Sequence, residues 1–289
     1  MIWKFTGAGN DFVVLDGRGG GMDAFREPER IGALCREHRT DGLMILGTAS
    51  GYDFSMEFFN PDGTGGMMCG NGGRCITAFA HHLGIRPAAP DGVYLFLAGD
   101  GPHYAQILEG PVAGGAPETG KGPAASQTWT VRLKMIDVQG VTPMMGGYFL
   151  NTGTRHFVQF REGVDGIDME AQAKPLRWDS AFQPEGSNVN FVEPRPDGLH
   201  IRTYEKGVEG ETLACGTGIT ASAIAACYAE TPGQDEKDGG RATGTGHMAY
   251  RLQCRRGDWL TVEFKRDGTH FTDVYLTGPA ELLYAVSQK

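Results

Sequence analysis

Cys69 and Cys215 carry the features of this chain that best suit chemistry. One opens Cys69-Gly70-Asn71-Gly72 and the other Cys215-Gly216-Thr217-Gly218, and a helix-like stretch follows each, Arg74–Leu83 and Ile219–Ala229. A cysteine just before a helix meets backbone N–H groups that have no intrahelical partner, and the helix dipole there favours negative charge. Together these stabilise a thiolate. The glycines let a ligand approach the backbone, whose N–H groups can then hold a carboxylate. If the two sites face each other, one thiolate and one thiol can remove a proton from one face of a carbon and return one to the other, titrating as a coupled pair. The expected substrate is an α-amino acid. Its α-proton is far less acidic than any side chain, so N–H donors in a closed, dry site must stabilise the developing carbanion. No pattern singles out a lysine for pyridoxal.

The elements that position these cysteines repeat. At a constant offset of 146 residues Thr6-Gly7 recurs as Thr152-Gly153, Phe58 falls on Tyr204, and the two Cys-Gly-x-Gly turns coincide. Two similarly folded halves are expected. Short alternating or β-branched runs predict strands at Phe12–Asp16, Leu43–Leu46, Phe54–Phe59, Val93–Leu97, Tyr104–Leu108 and Trp129–Met135. In the second half they fall at Gly147–Asn151, His156–Phe160, Val189–Val192, His200–Tyr204, Met248–Cys254, Trp259–Phe264 and Phe271–Leu276. Further helices are expected at Pro28–His38 and Asp165–Lys174. Many strands and few helices per half predict two α+β lobes. Pro111–Thr128 and Asp235–Gly246 read as polar, Gly-rich hairpin loops. His81-His82 reads as a solvated helix end.

Composition narrows the class. The 289 residues include 26 Lys or Arg against 35 Asp or Glu, a net charge of −9. That balance argues against a nucleic-acid partner. No run approaches the roughly 18 apolar residues of a membrane span, and the first residues show no secretory signal, so a soluble cytoplasmic protein is expected. Gly, at 45 residues, is about twice its usual share of roughly 7%. None of the six cysteines forms a Cys-x-x-Cys pair, so no zinc site is expected, and without a secretory signal no disulfide framework is expected either. Cys35, Cys227 and Cys254 read as buried apolar residues.

Seven segments, in order along the whole chain, carry a resemblance to the diaminopimelate epimerases. They are Gly7-Ala8-Gly9-Asn10-Asp11-Phe12, Phe59-Asn60-Pro61-Asp62-Gly63-Thr64, Met68-Cys69-Gly70-Asn71-Gly72-Gly73-Arg74-Cys75, Asn188-Val189-Asn190-Phe191-Val192, Tyr204-Glu205-Lys206-Gly207, Glu211-Thr212-Leu213-Ala214-Cys215-Gly216-Thr217-Gly218 and Leu276-Thr277-Gly278-Pro279-Ala280. The resemblance implies two pseudo-symmetric α+β lobes, each a curled mixed β-sheet or barrel around a central helix, with the active site in the cleft between them. It implies lobes of 1–136 plus 277–289 and of 137–276. It further implies cofactor-independent epimerisation of LL-2,6-diaminopimelate to the meso form, in lysine and peptidoglycan precursor synthesis, by a homodimer that needs no metal. Cys69 and Cys215 match the family's catalytic cysteines, and His156 and Glu205 its polar groups near the reacting centre. Asn10, Asn60 and Asn188 match residues that hold the substrate's amino and carboxylate groups. Taken alone, these asparagines would be turn or cap residues. Gly70, Asn71, Gly216 and Thr217 match the helix-start donors.

Three positions depart from the family pattern. Thr154 stands where an asparagine contacts substrate, Arg155 replaces a proline, and Lys206 replaces an arginine that grips a substrate carboxylate. Lysine cannot offer the same bidentate fork. Arg155 is therefore expected to supply the missing guanidinium, with Thr154 and Lys206 lining the substrate side. The same changes keep open a related racemase acting on another amino acid, such as histidine. A non-catalytic ligand-binding relative is the alternative of a different class.

Overall fold

The computed structural model describes residues 1–66, 68–114, 127–230 and 246–287. Most of the predicted loop Pro111–Thr128, and nearly all of Asp235–Gly246, lie outside the described residues. The chain divides into two compact units, 1–133 with 278–289, and 134–277.

The first unit is a closed mixed barrel. Its strands are β1 (Ile2–Thr6), β2 (Asp11–Asp16), β3 (Gly42–Gly47), β4 (Phe54–Phe59), β5 (Val93–Ala98), β6 (Gly101–Glu109), β7 (Gln127–Lys134) and the second half of β16 (His270–Val286). They pair in that order, and β16 returns to β1, so eight strands close the ring. β2–β3 and β4–β5 are parallel, and the other pairs are antiparallel. Closure leaves no unpaired edge. Helix α1 (Pro28–His38), begun by a proline in its first turn, lays Ile31, Leu34 and Cys35 on β2 and β3. Helix α2 (Gly70–His82) contacts β1, β2, β3 and β6 and is buried at every described position except His81, which marks it as the barrel's central helix. Phe79 on α2 meets Trp3 and Phe5, and Phe5 meets Trp129. Each such ring stabilises the core by roughly 1.5–3 kcal/mol. His81 and His82 are part of this packing, a correction to the expected solvated end: Trp129 Nε1 donates to His81 Nδ1 at 3.1 Å, and His82 is buried beside Gln127.

Arg74 ties the first turn of α2 to the barrel. It is fully buried, and its guanidinium donates to the carbonyls of Gly7 (3.2 Å), Gly70 (3.2 Å) and Pro279 (3.3 Å) and to Asn71 Oδ1 (2.9 Å). Arg74→Met fills much of the volume yet strands these acceptors, each worth about 1–3 kcal/mol when left buried and unpaired. The expected loss is about 3 kcal/mol or more of unfolding free energy, read from urea denaturation; a loss within about 0.5 kcal/mol would be that of an ordinary surface change and would contradict this role.

The second unit repeats the plan. Strands β8 (Thr142–Met144), β9 (Gly147–Asn151), β10 (Arg155–Phe160), β11 (Asn188–Arg195), β12 (Gly198–Glu205), β14 (His247–Gln253), β15 (Trp259–Asp267) and the first half of β16 are consecutive neighbours, with β13 (Gly210–Thr212) added on β12. Helix α4 (Gly216–Glu230) contacts β9 to β12, β14 and β15 and is buried at Gly216 and from Gly218 to Cys227. An apolar surface on all sides fits such a central helix. Helix α3 (Met169–Arg177) packs on β11, β12 and β13. It starts later than the predicted Asp165–Lys174, because Asp168 caps it by accepting from Ala171 N at 3.1 Å, while Val164–Gly166 forms a separate 3₁₀ turn. β16 is one 17-residue strand, paired to β15 up to Thr277 and to β7 and β1 from Gly278 onward.

Candidate active site

Each unit places one cysteine at the N-terminus of its central helix. Cys69 is the N-cap of α2 in an extended conformation (φ −107°, ψ 155°), and its Sγ accepts the Gly72 N–H at 3.2 Å. The sulfur thus stands where a Ser or Asp oxygen usually caps a helix, a position that favours the anion. Beside it Asn71, 2% exposed, donates to Asn10 Oδ1 at 2.7 Å. Asn10 ends the tight turn Thr6–Asn10, where Ala8 and Gly9 take positive φ. Asn60 is held inside its own turn, donating to Thr64 Oγ1 at 3.0 Å.

In the second unit the sheet face under α4 is polar. β10 pairs with β11 so that His156 faces Asn188, and β11 pairs with β12 so that Asn190 faces Thr203. With a side-chain period of two, Asn188 and Asn190 share a face, as do Thr203 and Glu205. Cys215 Sγ lies 3.3 Å from Thr217 Oγ1, which lies 2.9 Å from His156 Nε2 and 3.0 Å from Thr154 Oγ1. Thr154 Oγ1 is itself 2.9 Å from His156 Nε2. Asn188 donates to the Arg155 carbonyl at 3.1 Å and accepts the Lys206 backbone N–H at 2.7 Å. His156 is fully buried, and desolvation pushes its pKa down to about 3, against a smaller opposing effect of Asn190. Glu205 moves the other way: burial raises its carboxyl above the ordinary value, opposed by the side chains of Thr212 and Cys215.

The structure therefore brings Thr154, His156, Asn188, Thr217 and Cys215 into one hydrogen-bonded cluster, with Glu205 at Cys215. The Lys206 side chain is exposed and joins the cluster only through its backbone. Arg155, expected to replace the missing guanidinium, is instead ion-paired to Glu185 and stacked over Phe149 at 5.0 Å. Asn190 and Thr203 were not among the expected site residues. The alternation Asn188-x-Asn190 held the signal, since it puts both amides on one face.

The 146-residue offset extends into the sites. Asn10–Asn71 corresponds to His156–Thr217, and Met44, whose Sδ abuts Gly72, corresponds to Asn190, whose Oδ1 abuts Gly218. A Cβ on Gly218 would fall 2.5 Å from Asn190 Oδ1 and 3.3 Å from His156 Cε1; on Gly72 the nearest atoms are Cys69 Sγ at 3.2 Å and Met56 Cε at 3.3 Å. Gly218→Ala is accordingly expected to cost about 1–3 kcal/mol by overpacking. The measurement is a pair of melting curves, in which Gly72→Ala, against softer neighbours, loses less Tm than Gly218→Ala; the reverse order would contradict the close packing at Gly218.

Solved structures share this architecture. A phenazine biosynthesis protein of the PhzF family from Bacillus anthracis superposes with a TM-score of 0.67 at 13% identity, covering 98% of this chain and 96% of that one. A probable proline racemase from Agrobacterium radiobacter gives 0.59 at 16% identity, over 100% and 92%. At these identities the likeness shows the fold. In sequence, a diaminopimelate epimerase of Flavobacterium psychrophilum is 35% identical over 289 residues, covering 98% of each chain. The fold, the paired cysteine sites and this relative define an isomerase of the racemase and epimerase class. The family model for diaminopimelate epimerase matches residues 148–283, and the chain belongs to the diaminopimelate epimerase family. Among the described residues no helix is long and apolar enough to cross a membrane.

Proposed function

We propose that this chain epimerises LL-2,6-diaminopimelate to meso-diaminopimelate with Cys69 and Cys215 as its two bases and no cofactor. The observation that carries the reading is the repeated placement of a cysteine at the N-terminus of a buried central helix. In this mechanism the two sulfurs flank one α-carbon. A thiolate takes the α-proton, the first-turn N–H groups beside Gly70, Asn71, Gly216 and Thr217 hold the carboxylate as charge develops, and the opposite thiol protonates the other face. One thiolate and one thiol are present before and after, with their places exchanged. Glu205, beside Cys215 and raised in pKa, exchanges a proton with that thiol. Asn10, Asn60, Asn188, Thr154 and Lys206 complete the proposed substrate contacts. The family resemblance extends the proposal to a cytoplasmic homodimer that feeds lysine and peptidoglycan precursor synthesis.

Reduced enzyme and LL-diaminopimelate in D₂O, without added cofactor, should yield meso product carrying one deuterium at the inverted α-carbon, read by NMR. Inversion without deuterium would defeat the two-base reading. The exposed Lys206 and the engaged Arg155 favour one second reading, a same-class racemase of another amino acid. Turnover of histidine but not diaminopimelate would select it.

A further inference from the structure

We propose that Asn190, braced by Thr203, sets the direction of hydrogen bonding at Cys215: it holds His156 as the Nε2–H tautomer, so that the Thr154–Thr217 hydroxyl pair ends in an O–H aimed at the sulfur. The inference about Cys215 chemistry rests on the reading above; the tautomer does not.

Donors and acceptors around His156 decide its tautomer. Asn190 Nδ2 lies 3.3 Å from the Phe157 carbonyl, which can only accept, so this end of the amide is the NH₂. With that orientation its Oδ1 accepts the Thr203 hydroxyl at 2.9 Å, which braces the other end of the amide. The second Nδ2 proton points at His156 Nδ1, 3.0 Å away. Nδ1 must accept it, so the ring's one proton sits on Nε2. That proton meets the oxygens of Thr154 and Thr217, both at 2.9 Å. Asn188 Nδ2 approaches both Thr154 Oγ1, at 3.3 Å, and His156 Nε2, at 3.4 Å, but the Arg155 carbonyl at 3.1 Å and Thr154 Oγ1 are the nearer acceptors for its two protons. The Thr154 O–H then has Thr217 Oγ1, at 3.0 Å, as its acceptor within the cluster. Thr217 then receives from two sides, and its O–H is directed to Cys215 Sγ at 3.3 Å.

The opposite tautomer would reverse the chain. A bare Nε2 would accept from Thr217, which would accept from the Cys215 S–H, and His156 would be a base for the thiol. With Nε2 protonated, His156 instead supports a donor to the thiolate. Asn190 acts through His156 and is a positioning residue. Gly218 keeps this stack closed, since any Cβ there would strike Asn190 Oδ1.

The test is long-range ¹H–¹⁵N NMR of ¹⁵N-histidine enzyme. The expected result for His156 is a neutral ring protonated at Nε2 in the wild type, and a proton on Nδ1 in Asn190→Asp, whose carboxylate accepts. In a Cys69→Ser background, with Glu205 beside Cys215 in every variant, the pH profile of Cys215 alkylation should shift upward by about one unit in Asn190→Asp, through loss of a hydrogen bond to the thiolate and the added negative charge, the second of which Thr203→Val lacks. Thr203→Val, which removes only the brace, should shift it less in the same direction, and serves if Asn190→Asp does not fold. A wild-type ring protonated at Nδ1, or an unmoved alkylation profile in both variants, overturns the proposal. Inactivity toward diaminopimelate with the expected tautomer would instead count against the functional reading alone.

Discussion

Cys69→Ser and Cys215→Ser should each lower kcat for epimerisation by about 10³-fold or more, within the range that removal of an acid–base group costs. A serine hydroxyl has no thiolate to offer near neutral pH. The loss should split by reaction. With one base gone, inversion stops, but the remaining cysteine still addresses one face of the α-carbon. One variant should therefore wash deuterium into the LL isomer with retention, and the other should do so only with the inverted centre. Following both isomers in D₂O by NMR checks this, and either variant keeping a tenth of wild-type epimerisation would defeat it. Cys35→Ala is the control. Burial pushes the Cys35 and Cys254 thiols up, and Cys35 belongs to the apolar contact of α1 with β2 and β3, so no change in kcat is expected.

The two cysteine motifs were legible because a cysteine followed by two spaced glycines and a helix has few other structural uses. The offset of 146 was equally legible, and it now aligns Asn10 with His156 and Met44 with Asn190. What it hid is the contrast between the sites. Equivalent backbone positions abut a thioether sulfur in one unit and an amide oxygen in the other, and an alignment of motifs registers neither. Arg155 shows a related limit. Sequence shows that a guanidinium is available, but only the fold shows that Glu185 and Phe149 already hold it. β1 was not among the expected strands, and the expected strand Phe271–Leu276 is only the first part of β16, which runs on through Gly278-Pro279. In the barrel Pro279 pairs with Thr130, and its carbonyl receives Arg74.

Glu205→Gln should cut kcat by about 10²-fold while making the protein more stable at neutral pH. The carboxamide keeps the size of the side chain but cannot take a proton from Cys215. The coupled Cys69–Cys215 pair and the carboxyl of Glu205 both shape the acid limb of the wild-type pH–rate profile, so that limb should move, without vanishing, in the variant. Stability follows from the same raised pKa. Between the unfolded and folded pKa values the native state binds more protons at this residue than the unfolded chain does, so unfolding free energy falls as pH rises through that window and stays lower above it. Glutamine carries no such proton. The variant's advantage in urea denaturation should therefore be smallest below the ordinary carboxylate pKa, grow across the window and level off above it. An advantage that is flat with pH would mean that burial does not hold Glu205 protonated, and an unchanged acid limb would move the proton exchange to another group. If both effects appear, the carboxyl that weakens the folded protein is the one that exchanges a proton with Cys215, and stability is sacrificed there for reactivity.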